Sequence, residues 1–377
     1  MPALDTLTAD AHRVGVEDLM TLLAERVDDA DRAGRPDPDV LAAVRDSPLP
    51  GLVVPHEHGG SGADTLELNR MIARVAAHDP STAIILFQHS AVCSRIAEWG
   101  TESQRADLLP KLASGTWLAA SAWSESGAGA AKKDLATTAE ELPDGWSVSG
   151  GKAFTTGAGI TDVYLVLAQS TPVDEADDDA AYGSSGQSFF LIPATEPGIE
   201  PDLSLDLVGM RSSATGFVEL SECRVGPDAL LGPRDRATTV IAGVRESGAT
   251  LGAVSVGIAE AAWATAFDAM HRKSTLDQQV IRHRLVDLAS RVESARALVE
   301  RAGRRDATRP GEVTLHAKIH ASQVCEQVVS DVARMLGSAG YVVNNPINRM
   351  GRDARAVALM GPTNDLSRDL VSLPWAA

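Results

Sequence analysis

The sequence predicts an α+β protein, mainly α-helical, with a β-rich middle between two helical parts. Three observations carry this. Apolar residues recur at three- and four-residue spacing near both ends of the chain. Between them lie short runs of β-branched and aromatic residues, cut apart by Gly, Pro and Asp clusters. No segment repeats at a fixed period, so a solenoid or propeller is not indicated. The changes of texture place the domains at 1–118, 119–232 and 233–377, and the order helices, sheet, helices suggests segregated layers.

Each part has its own signals. In the first, Val16–Asp28 and Asp64–Ala77 carry the helical spacing. Asp79-Pro80-Ser81 interrupts it and starts a new helix, because proline suits a helix's first turn. In the middle, strands are expected in the runs beginning at Trp146, Val163, Ser188 and Gly216. The acidic, Gly- and Ser-rich stretch Pro172–Gln187 is expected to be an exposed, mobile hairpin loop. In the last part, long amphipathic stretches cover Val240–Arg272, Gln278–Arg305 and Val313–Gly337, and Gly337 and Gly340 end the third.

Composition narrows the function classes. A chain of 377 residues that is 44% hydrophobic can build a large core. Its net charge of −17 repels nucleic-acid phosphates and anionic membranes, so neither is an expected partner. A polyanionic ligand would need local cations or helix N-termini. No apolar run reaches the length of about 18 residues expected of a membrane span. Cys93, Cys223 and Cys325 form no paired framework, which fits a reducing, cytoplasmic setting, and no signal-peptide pattern opens the chain.

Several stretches then fall into a familiar order. They are Val54-Pro-His-Glu-His-Gly-Gly-Ser-Gly, Trp99-Gly-Thr-Glu-Ser-Gln-Arg, Leu109-Pro-Lys-Leu-Ala-Ser-Gly and Ser121-Ala-Trp-Ser-Glu-Ser-Gly-Ala-Gly. After them come Gly150-Gly-Lys-Ala-Phe-Thr-Thr-Gly, Val208-Gly-Met-Arg-Ser-Ser-Ala-Thr, Val225-Gly-Pro-Asp-Ala-Leu-Leu-Gly, Met335-Leu-Gly-Ser-Ala-Gly-Tyr and Arg352-Asp-Ala-Arg. Each is weak alone, but the series spans nearly the whole chain and resembles the acyl-CoA dehydrogenase superfamily. The resemblance implies a helical N-terminal domain, a β-barrel-like middle domain and a C-terminal four-helix bundle, assembled as a homodimer or homotetramer.

The resemblance also implies a flavin, FAD in the first instance with FMN as the alternative. An isoalloxazine ring needs flat apolar walls and a few hydrogen-bond donors. Trp123 and Ser124 would lie along the ring, and the Phe154-Thr155-Thr156 segment would stand beside it. Arg272 and the Gly337–Gly340 turn would reach the diphosphate and adenine end across a subunit contact. The segment after Arg272 departs from the family, which expects Phe and Gly there and Gln at the place of His283.

The base departs further. α,β-Dehydrogenation of an acyl thioester removes a proton next to the carbonyl, so a group must accept it. The resemblance puts a Glu nine residues after Arg352, and that position is Gly361. A minority of the family carries the Glu on an earlier helix. Counting back from Arg272 selects Glu246, the favoured candidate, while counting from Gly257 selects Ser247. Neighbouring residues on a helix point about 100° apart, so only one can face the substrate. Asp365 is a weaker candidate. His316, His320 and Glu312 share a helix face, but no further ligand pattern joins them and no metal is expected.

The function implied is flavin-dependent dehydrogenation of an acyl-CoA or carrier-bound acyl group, with an electron-transfer flavoprotein as partner. A reduced-flavin monooxygenase served by a flavin reductase is the alternative, because it needs no base at the position of Gly361. A non-catalytic scaffold is the third reading, since fold does not settle chemistry.

Overall fold

The first helix, α1 (Val16–Ala33), buries Leu19, Leu23 and Val27 along one stripe and ends at Gly34 in the left-handed conformation. α2 (Pro38–Arg45) starts where the Asp37 carboxylate accepts from Asp39 and Val40. α3 (Thr65–His78) opens with a reciprocal capping box between Asp64 and Glu67. α4 (Pro80–Trp99) is buried on nearly all faces and is a core helix. α5 (Glu102–Ala113) begins with a second capping box, Thr101 with Gln104, and the Gln104 amide also donates to Asp228 O and Leu230 O. That contact ties the first helical part to the end of the sheet. The computed structural model describes residues 14–174 and 180–375.

The sheet has eight strands: β1 (Ala119–Ala122), β2 (Thr138–Leu142), β3 (Gly145–Thr155), β4 (Val163–Gln169), β5 (Gln187–Pro193), β6 (Ile199–Asp202), β7 (Gly216–Val225) and β8 (Leu230–Leu231). Their order is β6-β7-β3-β2-β4-β5-β8, and β1 runs parallel to β4. β4 reads as an unbroken apolar run because both its faces are buried. Val163, Leu165 and Leu167 face the helices, whereas Tyr164, Val166 and Ala168 face an inner core with Trp146, Phe190 and Val218. The sheet therefore curls around one core and backs onto another.

The last part holds α6 (Ala237–Glu246), α7 (Gly252–Arg272), α8 (Gln279–Arg304), α9 (Pro310–Leu336), α10 (Pro346–Asp353), α11 (Ala356–Leu359) and α12 (Asn364–Ser372). α7 packs against both α3 and α9, with a large apolar cluster between them. Gly257 permits the contact with α3: a Cβ there would fall 2.1 Å from Ala73 O.

Two expectations need correction. The stretch Val240–Arg272 is not one helix. It breaks between Glu246 and Gly252, where Gly248 takes φ +79° and its backbone runs so close to α8 that a Cβ would lie 2.2 Å from Ala302 O. The loop Pro172–Gln187 is not wholly exposed. Residues 175–179 lie outside the described residues, but Tyr182, Gly183 and Ser184 are buried. Tyr182 belongs to the apolar cluster between sheet and helices.

Candidate active site

A cleft of about 960 Å³ opens where the three parts meet. Its walls come from α3, α4, the loop after β1, the end of β3, the loop before β7, α6, the turn before α7, and the helices from α8 to α11. Among the described residues, six arginines and two lysines line it, against a single carboxylate, Asp64. Asp64 is exposed and committed to capping α3. A chain of net charge −17 thus concentrates positive charge at one cavity, which suits an anionic ligand.

Trp123 and Ser124 enter the cleft directly after β1. Ser124 O accepts from Ala153 N–H at 2.8 Å, which fixes this segment against β3. The Trp123 indole packs 4.8 Å from the Phe189 ring, tilted by 47°, and its buried Nε1–H has no acceptor among the described residues. Such an orphan donor at a cavity is an available hydrogen bond. Across from it, Thr156, Thr215 and Ser213 form a hydroxyl chain, with Oγ1···Oγ1 3.0 Å and Oγ1···Oγ 2.8 Å, and all three residues line the cleft. Phe154 stands at the rim at φ 54°, where an irregularity in the β3–β7 pairing re-aims the chain, and it is 63% exposed. Thr155 is buried behind, with an unpartnered hydroxyl, and does not line the cleft.

A buried ion pair holds the loop under this wall. Lys152 Nζ lies 2.6 Å from Glu125 Oε1 and donates also to Leu167 O, while Glu125 accepts from Ala136 N–H and Thr137 N–H. Burial alone would raise the Glu125 pKa, but the Lys152 charge and these hydrogen bonds hold it below the ordinary value. On the opposite wall, Arg352 pairs with Asp31 at 2.5 Å and Asp353 accepts from Met210 N–H at 2.6 Å. The Arg352-Asp-Ala-Arg segment therefore clamps the loop that carries Ser213 and Thr215.

The other candidates separate clearly. Glu246 does not line the cleft. It is exposed at the end of α6, and its Oε2 accepts from Gly311 N–H at 3.2 Å in the first turn of α9. This placement gives the expected catalytic role no support: α6 ends at Glu246, and the carboxylate accepts from a helix N-terminus. Ser247 is the one that lines the cleft, with its hydroxyl donated to Val244 O. Asp365 is solvated, its side chain 94% exposed and paired with Arg368. Arg272 is exposed at the end of α7, and Gly337 and Gly340 follow α9; none of the three lines the cleft within this one chain.

Sequence reasoning missed Lys132, Tyr182 and Lys318. Lys132 is buried, with φ 54°, and its ammonium lies 5.3 Å from the Tyr182 ring. Burial and the nearby Lys152 charge pull its pKa down to about 8, against the attraction of Glu125. Lys318 donates to Asn364 Oδ1 at 3.1 Å, and burial pulls it down to about 7. The only signal for Lys132 was a basic pair in a glycine-rich loop, and for Tyr182 an aromatic residue in an acidic one.

The fold and cleft together define a class: a protein of helical, sheet and helical parts with a large, cation-lined cavity where they meet. Comparison places it more narrowly. Three domain models of acyl-CoA dehydrogenase match in order, the N-terminal domain at residues 12–116, the middle domain at 120–223 and the C-terminal domain at 238–372. A probable acyl-CoA dehydrogenase of Mycobacterium leprae is 28% identical over 359 residues, covering 93% of this chain and 90% of that protein. The solved butyryl-CoA dehydrogenase of Megasphaera elsdenii superposes with a TM-score of 0.87 at 24% identity, over 100% of this chain and 99% of that one. A solved FAD-dependent dehydrogenase does so with a TM-score of 0.81 at 27% identity, over 94% of this chain and 98% of that one. The chain belongs to the acyl-CoA dehydrogenase superfamily, flavin-dependent oxidoreductases that act on CH–CH bonds of acyl groups. The monooxygenase reading is not favoured by these relatives.

Proposed function

We propose that this protein uses FAD to introduce an α,β double bond into an acyl thioester bound in the cleft. The observation that carries the reading is the pairing of two features in one cavity. One is a donor-lined wall, Trp123 Nε1–H and the Thr156–Thr215–Ser213 hydroxyls; the other is a rim of arginines. The first fits the polar edge of a flavin ring packed on apolar side chains. The second fits the phosphates of a nucleotide cofactor and of a CoA or phosphopantetheine thioester.

Within this reading Trp123, Ser124, Phe154 and Thr156 hold the ring. When bound, the flavin accepts the hydride that leaves the β carbon. The chain's own residues orient the thioester, exclude water and take the α proton. The exposed Phe154 ring gives an electron-transfer flavoprotein a surface next to the cofactor. Arg272, Gly337 and Gly340 serve a cofactor only from a second copy of the chain, which favours a homo-oligomer.

The test is an absorption spectrum of the purified protein, followed by anaerobic addition of acyl thioesters of different chain lengths. The expected result is a bound-flavin spectrum that bleaches with at least one thioester and recovers with an external acceptor. A protein that takes up no flavin, or a bound flavin that no thioester bleaches, sinks the reading.

A further inference from the structure

We propose that Lys132 is the base that removes the α proton, its amine working in space left open by the missing side chain of Gly361. The inference rests on the dehydrogenase reading and supplies what that reading lacks.

A proton acceptor must reach the substrate from the cleft wall. Among the described residues the only carboxylate lining the cleft is Asp64, which is exposed and caps α3. No histidine among the described residues lines it. Tyr182 is a poor acceptor, because burial drives its phenol well above the ordinary value. Ser247 donates its hydroxyl hydrogen bond to Val244 O and has no base beside it among its hydrogen-bond partners. The two lysines remain, and position separates them. Lys318 Nζ is tied to Asn364, which is itself tied to Ser322. Lys132 Nζ has no hydrogen-bond acceptor or ion-pair partner among the described residues, and it lines the cleft beside Gly361. A Cβ placed on Gly361 would lie 3.4 Å from Lys132 Nζ and 3.5 Å from Tyr182 Oη. Lys132 also belongs to the loop that begins at Ser124, so the ring-binding wall and the amine are parts of one segment.

The surroundings suit an amine that must be neutral before the reaction and charged after it. Lys152 from β3 and Glu125 from the loop after β1 act on it with opposite signs, and burial outweighs their difference. Tyr182 presents its ring face to the ammonium, and Arg245 of α6 acts on Tyr182 from behind. Lys318 and Arg355 line the same cleft from α9 and the turn before α11. An ordinary lysine at pH 8 is neutral in roughly one molecule in 300. Lys132, lowered to about 8, is neutral in about half. In the step itself the Cα–H bond breaks, its proton goes to Lys132 Nζ, the Cα–Cβ double bond forms, and the hydride leaves Cβ for the flavin.

The test follows proton removal separately from flavin reduction. An acetyl thioester of pantetheine has α protons and no β hydrogen. Its exchange in D2O is followed by NMR with the flavin-loaded protein as a function of pH. Wild type is expected to exchange at a rate rising through pH about 8 with a one-proton slope. Lys132→Met and Lys132→Ala should lose on the order of 100-fold or more while keeping the flavin spectrum. The double variant Lys132→Ala/Gly361→Glu should recover part of the rate and move the pH midpoint to the carboxylate range. Reductive dimethylation with a 13C label should show a lysine titrating near 8 that is missing in the variants. Exchange that survives loss of Lys132, or a Lys132 signal titrating above 10, overturns the proposal. Thioesters that bleach wild type and Lys132→Met at equal rates remove Lys132 and leave the dehydrogenase reading. Absence of both bleaching and exchange in wild type removes the two together.

Discussion

At the scale of single residues, the informative contrast is between Glu246 and its neighbour Ser247. The carboxylate sits at the N-terminus of α9, where a negative charge and an accepted hydrogen bond favour the helix, and it is turned out of the cleft. Glu246→Gln should therefore keep turnover within about twofold, the ordinary result for a group that touches no reacting atom. It should lower the unfolding midpoint by only about 0.6 °C, since the charge at the helix end is worth about 0.5 kcal/mol and a chain of this length unfolds with an entropy of about 0.8 kcal/mol/K. Steady-state rates and a thermal melt on one preparation check both, and a large loss of rate with an unchanged melt would return Glu246 to the chemistry. Thr156 makes the opposite case. Its hydroxyl heads the chain through Thr215 to Ser213 at the cleft wall. Thr156→Val removes one hydrogen bond worth about 1 kcal/mol, so flavin should bind about fivefold more weakly, measured by absorbance titration of the stripped protein. An unchanged affinity would take Thr156 out of the cofactor site.

At the scale of elements, the fit of α4 against β1 turns on one histidine. His89 Nε2–H donates to Pro50 O at 3.0 Å and Nδ1 accepts from Ala119 N–H at 3.1 Å, so the ring is neutral and has no place for a second proton. Burial pulls its pKa from 6.5 to about 4. Between these values the unfolded chain takes up a proton that the native one refuses, so stability is full above pH 6.5 and falls as pH drops toward 4. The loss approaches about 3 kcal/mol for this group. Urea unfolding at pH 7 and pH 4.5 should show that decline, and His89→Gln should flatten it; an unchanged slope would assign the acid sensitivity elsewhere. Much at this scale was legible in the sequence. Capping residues at Asp64, Asp79 and Thr101 start their helices, and apolar runs mark β4 and β5. The break after Glu246 was not legible, because the helical period continues across it and the cause lies in Ala302 of α8, which presses on Gly248. The reactive corner was hidden for the same reason: Lys132, Tyr182 and Gly361 come from distant parts of the chain, and none carries a local pattern.

At the scale of the whole molecule, one chain leaves the proposed cofactor site half walled. The donor wall is in the cleft, yet Arg272, Gly337 and Gly340 lie outside it, at the ends of α7 and α9. Beside Gly340 the surface turns apolar: Tyr341 is 93% exposed and Val343 is 89% exposed. Side chains of that kind at full exposure, next to glycines that bring backbone close, suit a contact with another copy. If a second subunit covers this surface, its Arg272 would supply the charge that the diphosphate needs, and binding of flavin would depend on assembly. The prediction follows that Tyr341→Asp together with Val343→Asp yields a monomer that folds, shows an unchanged far-ultraviolet circular dichroism spectrum, and loses bound flavin on gel filtration. Arg272→Ala should keep the oligomer and weaken flavin by about tenfold or more, as expected on removing one charge-assisted contact to a phosphate. Light scattering gives the mass, and the visible-to-ultraviolet absorbance ratio gives the flavin content. Should the aspartate variant stay oligomeric, the contact lies elsewhere. Should it become a monomer and still hold flavin as tightly as wild type, the cofactor site is complete within one chain and Arg272 has no part in it.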